Sequence, residues 1–302
     1  GELTEDQEDE KRIEKAEVMS SVIDKILVKD GFPPMPNPRT EQGREDMKEY
    51  IKDILIPNLP REALFGPRFG SSFTASSGLL GMSYKDPIWI QYVKDIKKIG
   101  REAVEGKDFA PSLSPANGVV INFKTIPFKK FAKGGATSIK NNIAGIKQAN
   151  KQNMAQYRAL LTMLYKIAKD KKNRKLGPGI VAAYLHTSSN HSTHIHRLAA
   201  AFVGYSEDFK YGKGKGVLEH TMTSSEALTY VINIMLESKD AATFEKMIDT
   251  LMAQYTVIAL SKESDNLLAG WLKNNMPEGW DINTGLWVAR YQAGGINLDK
   301  IK

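Results

Sequence analysis

The sequence contains no cysteine in 302 residues. That absence excludes disulfides, thiolate metal ligands and a cysteine nucleophile, and it leaves the redox compartment open. No apolar run approaches the ~18–20 residues of a membrane span, so no membrane partner is expected. The first residues are acidic, which is not the pattern of a secretory signal. No GxxxxGK[ST] phosphate loop occurs, so the glycines around Gly66, Gly70, Gly78 and Gly81 are read as packing positions in a loop-rich unit. Histidine is scarce. There are only five, and His186, His191, His194, His196 and His220 all fall in one stretch.

Hydrophobic residues make up 41% and charged residues 25%, ordinary values for a globular chain. The formal charge is +7, which makes a polyanion the first expected partner. That charge is unevenly distributed. The first seventeen residues carry eight acids against Lys11, Arg12 and Lys15. They read as a solvated, partly disordered arm that becomes helical through Ile13, Ala16, Met19, Ile23 and Ile26. Gly31 and the run Pro33-Pro34-Met35-Pro36-Asn37-Pro38 form an extended linker. A helix from Thr40 to Leu55 follows. Residues 1–60 are therefore expected to be an acidic helical arm with a proline-rich linker, and residues 61–302 a basic helical core. Gly1 at the start and Leu298 to Lys302 at the end suggest a processed product or an excised domain of a longer protein.

Asp86-Pro87 has the form of a helix start. Val119 to Lys124 is a strand signal. From Asn122 to Lys175 there are fourteen Lys or Arg and one acid, Asp170. Ile143, Ile146, Met154, Leu161 and Leu164 lie at helical spacing, which predicts one long amphipathic helix from about Ser138 to Lys169. Lys140, Lys147, Lys151, Arg158, Lys166 and Lys169 decorate its solvated side, and Lys171, Lys172, Arg174 and Lys175 follow it. Charge of one sign repels itself unless an anion relieves it, so these positions are the expected phosphate contacts of a nucleic acid.

In the histidine stretch, Ile180 to Leu185 is an apolar segment. Asn190 or Ser192 is read as capping a helix that includes Ile195, Leu198, Ala199, Phe202 and Val203 and ends at Gly204. A loop with Lys213 and Lys215 between glycines leads to a strand at Val217 to Met222. His194-x-His196 would place its rings on opposite sides of a helix, unlike the His-x-x-x-His pair of helical zinc sites. A divalent metal on His191 and His194 is therefore ranked below an acid–base reading. In that reading His196 and His220 act as base and acid, Arg197 holds a phosphate oxygen and Glu219 orients a histidine. Lys213 and Lys215 would approach the same anion. Phosphodiester cleavage needs such a set. Against it stands the ordinary role of histidine as a cap or a core hydrogen-bonding group.

The segments HIHRLAAAFVGYS, LEHTMTSSEALTYVINIML and MPEGWDINTGLWVARY resemble parts of very large, multidomain or polyprotein-like virion proteins of tailed bacteriophages. The positions that carry the resemblance are Arg197, Glu219, His220, Met276, Pro277, Trp287, Arg290 and Tyr291. It implies a viral component located in the virion or host cytoplasm, with other virion proteins, or the remainder of a longer polypeptide, as partners. Asn117 to Lys124, His196-Arg197-Leu198-Ala199 and Gly204-Tyr205 are similar to short motifs of plant negative-strand RNA virus nucleoproteins. That similarity implies a non-enzymatic nucleic acid-binding protein.

In the last third, Ser224 to Glu237, Ala241 to Leu260 and a segment holding Leu267, Leu268, Trp271 and Leu272 read as helices joined by short connections. The fold expected from the whole chain is mainly α, a helical bundle with a small β element around 118–124 and 216–222.

Overall fold

The computed structural model describes residues 3–58, 86–106, 177–187, 201–211 and 216–300, with part of a helix between 151 and 169. The chain is mainly α, and its described strands form a four-stranded sheet. The strand expected near 118–124 lies outside the described residues.

Helix α1 (Glu5–Lys29) begins at a capping box. Thr4 Oγ1 accepts Gln7 N–H at 3.3 Å, and Gln7 Oε1 accepts Thr4 N–H at 2.9 Å. Glu5, Asp6 and Glu8 occupy its first turn, where the helix dipole favours acids. The acidic segment is thus helical from its fifth residue, and the arm buries Ala16, Ile23 and Leu27. At the far end Phe32 N–H bonds Leu27 O and Gly31 N–H bonds Val28 O. Gly31 has φ 91°, the left-handed conformation this stop requires.

The strap of residues 33–38 then lies alongside α1, held by Tyr50 Oη donating to Pro33 O and Met35 N–H donating to Asp24. Helix α2 (Glu41–Tyr50) is capped by Thr40 and runs into a π-helical turn at Ile51–Leu55. Helix α3 (Pro87–Gly106) starts as read, with Asp86 Oδ1 accepting Ile88 N–H at 2.9 Å.

The described residues between 151 and 169 form helix α4. It docks on α8 (Ala241–Gln254) through a stacked pair, Tyr165 on Phe244, at 4.3 Å between ring centroids. Helix α5 (Gly177–Thr187) is the centre of the molecule. It is apolar on nearly all sides, and every residue from Gly179 to Thr187 is buried, the composition of a helix enclosed by others. Its start is tied to the end of α1, because Asp30 Oδ2 accepts Gly179 N–H at 3.0 Å. Helices α1 and α7 (Ser224–Glu237) pack on it.

Strands β1 (Ala201–Ser206), β2 (Gly216–His220), β3 (Thr256–Ser261) and β4 (Leu298–Lys300) form a sheet of order β2-β3-β1-β4. β1 and β3 are parallel, and the two outer pairings are antiparallel. β3 is buried along its whole length. Val257 and Ala259 join the main helical core, whereas Ile258 and Leu260 join a second core with Leu268, Tyr291 and Ile296. A short helix α6 (Glu207–Tyr211) follows β1, and α9 (Lys262–Leu267), α10 (Trp271–Asn274) and α11 (Ala289–Ala293) cover the second core.

Three sequence readings are corrected here. The segment holding Leu267, Leu268, Trp271 and Leu272 is not one helix: α9 ends at Leu267 and α10 begins at Trp271, with Gly270 at φ 53° between them. Phe202, Val203 and Gly204 belong to a strand, not to the end of a helix, because pairing with β3 outweighs the apolar spacing. The helix expected to run to Leu260 stops at Gln254, and Thr256 to Ser261 is the central strand. The strand read at 217–222 is present as β2, and α7 has the bounds read from the sequence.

Candidate functional site

Glu219 and His220 end strand β2, opposite Ile258 and Val257 of β3. Successive strand residues face opposite sides of a sheet. Glu219 accordingly points toward the second core and His220 toward the first. Glu219 Oε1 meets Arg290 Nη2 at 2.7 Å. Arg290, on α11, is 1% exposed. It also donates to the carbonyls of His220 at 2.6 Å and Lys273 at 3.3 Å. Tyr291 Oη donates to the same His220 carbonyl at 2.9 Å. Burial opposes the charge of Arg290, but Tyr291 and Glu219 hold its pKa above the ordinary value. Burial pushes the Tyr291 phenol up.

The positions from separate motifs, Glu219, His220, Arg290 and Tyr291, therefore meet in one cluster that clamps the end of β2. Arg290 was legible only as part of the Trp-x-x-Arg-Tyr motif. Composition and periodicity gave no reason to pair it with Glu219.

The His220 ring lies 5.0 Å from the Tyr255 ring and is nearly buried. Glu219 spends its carboxylate on Arg290 and faces away from His220, so it does not orient that histidine. His191, His194, His196 and Arg197 lie outside the described residues. His186 lies in the last turn of α5, wholly buried, with Nε2 3.4 Å from Ser20 Oγ of α1. Burial, and then the nearby Arg39 charge, lower its pKa to about 4. Among the described residues no group of three or more His, Asp or Glu side chains is placed to hold a metal ion.

Of the basic positions, Lys140, Lys147, Lys171, Lys172, Arg174, Lys175, Lys213 and Lys215 lie outside the described residues. On α4, Lys151 and Lys166 are exposed, and Lys169 lies 5.6 Å from the centre of the Tyr165 ring. Arg158 differs from them. Its guanidinium spans Glu245, at 2.5 Å, and Asp249, both on α8. Its charge is already met within the chain, so it ties α4 to α8 instead of facing a phosphate.

Asp208, on α6, caps the carboxyl ends of the parallel strands. It accepts hydrogen bonds from Ser261 and, at 2.9 Å, from Ser264, while Ser206 Oγ accepts Ser261 N–H at 3.0 Å. Although burial opposes it, these hydroxyl bonds hold the Asp208 carboxyl below its usual range.

No helix among the described residues is long and apolar enough to cross a membrane. Comparison with protein-family models, with curated proteins and with solved structures finds no match to this chain.

Proposed function

We propose that this chain binds nucleic acid through the basic stretch of residues 122–175, as a component of a viral particle. The observation that carries the reading is the fourteen-to-one excess of Lys and Arg in that stretch. Lys151 and Lys166 stand exposed on α4, available to a phosphate backbone. Lys169 is on the same helix, and Lys171, Lys172, Arg174 and Lys175 follow it in the sequence. Phosphate contacts of this kind give affinity without sequence choice and release counterions on binding. The virion setting rests only on the resemblance of three segments to tailed-phage proteins, and would put the chain in the particle or host cytoplasm.

A binding role is favoured over phosphodiester cleavage because Glu219 is engaged with a buried arginine and faces away from His220. A nuclease would have to work with His196, Arg197 and His220, with or without a divalent metal. The test incubates the protein with labelled single- and double-stranded DNA and RNA, with and without divalent metal, beside His220→Ala. Salt-sensitive binding without cleavage is the expected result. Cleavage that disappears in His220→Ala would replace the binding role with a nuclease. Neither binding nor cleavage would overturn both.

A further inference from the structure

A cavity of about 540 Å³ opens between α1 and the proline-rich strap. Small-ligand sites fall in the range of about 300–1,000 Å³. Asp24 of α1 lines it and is half-buried. One carboxylate oxygen accepts Met35 N–H at 2.9 Å, which fixes the side chain against the strap. Two basic residues also line the cavity. Arg39 is bonded to Glu17 at 3.1 Å, and Lys25 is exposed at the rim. Burial raises the pKa of Asp24, and the Met35 bond opposes this only in part.

The remaining polar groups on the walls include the hydroxyls of Ser20 and Ser21 and the side-chain amide of Asn37, whose Oδ1 accepts Arg39 N–H at 3.0 Å. Val28, Met35 and Pro36 supply apolar surface.

These groups discriminate between ligand classes. A half-buried carboxylate repels an anion. A purely apolar occupant would strip water from Asp24 and leave its charge without a counter-ion, which is unfavourable. A primary ammonium carries three donors and can use a carboxylate, a hydroxyl and an amide carbonyl together. Its aliphatic stem matches the apolar wall. Glu17 lines the same cavity, but its carboxylate is bonded to Arg39, which leaves Asp24 as the carboxylate offered to an occupant.

We propose that this cavity binds an alkylammonium group, with the charge on Asp24 and the methylene stem against Val28, Met35 and Pro36. Two sources share that chemistry, a free polyamine and a lysine side chain of a peptide.

The test titrates the full chain in about 0.15 M salt, where surface attraction is largely screened, and follows backbone amide resonances of residues 20–25, 35, 37 and 39. The probes are spermidine, N-acetyl-lysine methylamide and the uncharged N-acetyl-norleucine methylamide. Asp24→Asn keeps an oxygen for Met35 N–H and removes only the charge. Ser21→Lys, at an exposed wall position, supplies a tethered ammonium. The expected result is binding of a charged probe, none of the norleucine probe, and affinity weakened roughly tenfold or more in each variant, as loss of a charge-assisted bond implies. Thermal melts check folding, and if Asp24→Asn fails to fold, Ser21→Lys decides alone.

Binding of spermidine only assigns a polyamine, and binding of the lysine probe only assigns a peptide. Equal binding by wild type and a folded variant, equal binding of the norleucine probe, or no binding overturns the proposal.

Discussion

Arg290 and Glu219 lie seventy-one residues apart in the sequence and meet at 2.7 Å, with the guanidinium almost wholly withdrawn from solvent. Removing one partner of a buried pair leaves the other charge uncompensated, which costs about 3–5 kcal/mol. Arg290→Met should therefore destabilise the chain by about that much, because the His220 and Lys273 carbonyls lose their donor as well. Arg290→Met combined with Glu219→Leu should recover part of the loss. Urea unfolding of the two singles and the double checks this. A double variant no better than the sum of the singles would mean the pair contributes nothing as a pair.

His186 sets a pH dependence. In the unfolded chain it takes up a proton near pH 6.5, and in the folded protein burial delays this to about 4. Between those values the unfolded state binds more protons, so stability falls as the pH drops from about 6.5 to 4, by at most about 1.4 kcal/mol per pH unit. Above that window the contribution is fully present. His186→Gln, measured by urea unfolding at pH 7.5, 5.5 and 4.5, should show a flatter profile than wild type.

Salt dependence separates two kinds of basic residue. Each phosphate contact contributes about 0.7 to 0.9 to the slope of log affinity against log salt. Replacing Lys171, Lys172, Arg174 and Lys175 together with Ala should flatten that slope by several such increments. Arg158→Ala should leave the slope unchanged, because Glu245 and Asp249 already hold that guanidinium. Fluorescence anisotropy with one oligonucleotide at several salt concentrations reads both. A slope change in Arg158→Ala as large as one phosphate contact would contradict the assignment of Arg158 to the α4–α8 contact.

Thr221 closes the end of β2 from inside the core. Its hydroxyl lies 2.7 Å from that of Thr256, and it accepts Thr256 N–H at 3.0 Å. Thr221→Val keeps the shape and strands a buried backbone donor, an effect of about 1–3 kcal/mol. Faster hydrogen exchange at Thr256, together with a lower urea midpoint, is the expected outcome.

The parts of this fold that were legible in the sequence are those decided locally. The cap at Asp86-Pro87 and the apolar spacing of Ala227, Leu228, Val231, Ile232 and Met235 depend only on near neighbours. β3 was not legible for a physical reason. It is covered on both faces, so Val257 to Leu260 lacks the alternation that marks a half-buried strand, and it reads as more of α8. Phe202 and Val203 follow an alanine run that favours helix, and only the pairing of Phe202 and Gly204 with β3, which skips Val203 at a bulge, decides otherwise. At the candidate site, Glu219 and His220 were singled out from sequence, but the role of Glu219 is set by a residue seventy-one positions on. Arg158 was read as a solvated cation because its acids lie eighty-seven and ninety-one residues away.

The strand order also constrains how the chain can assemble as it is made. β1 needs β3 on one side and β4 on the other, and both follow it in synthesis. β2 leaves the ribosome with Glu219 before Arg290 exists to meet it. The all-helical layer of α1, α2 and α5 can gather early from the N-terminal side. The sheet must wait, and contacts this distant in sequence close slowly. Until residues near 300 arrive, the growing chain carries an open, partly apolar sheet edge at β1. That interval is when it is most exposed to pairing with another nascent copy.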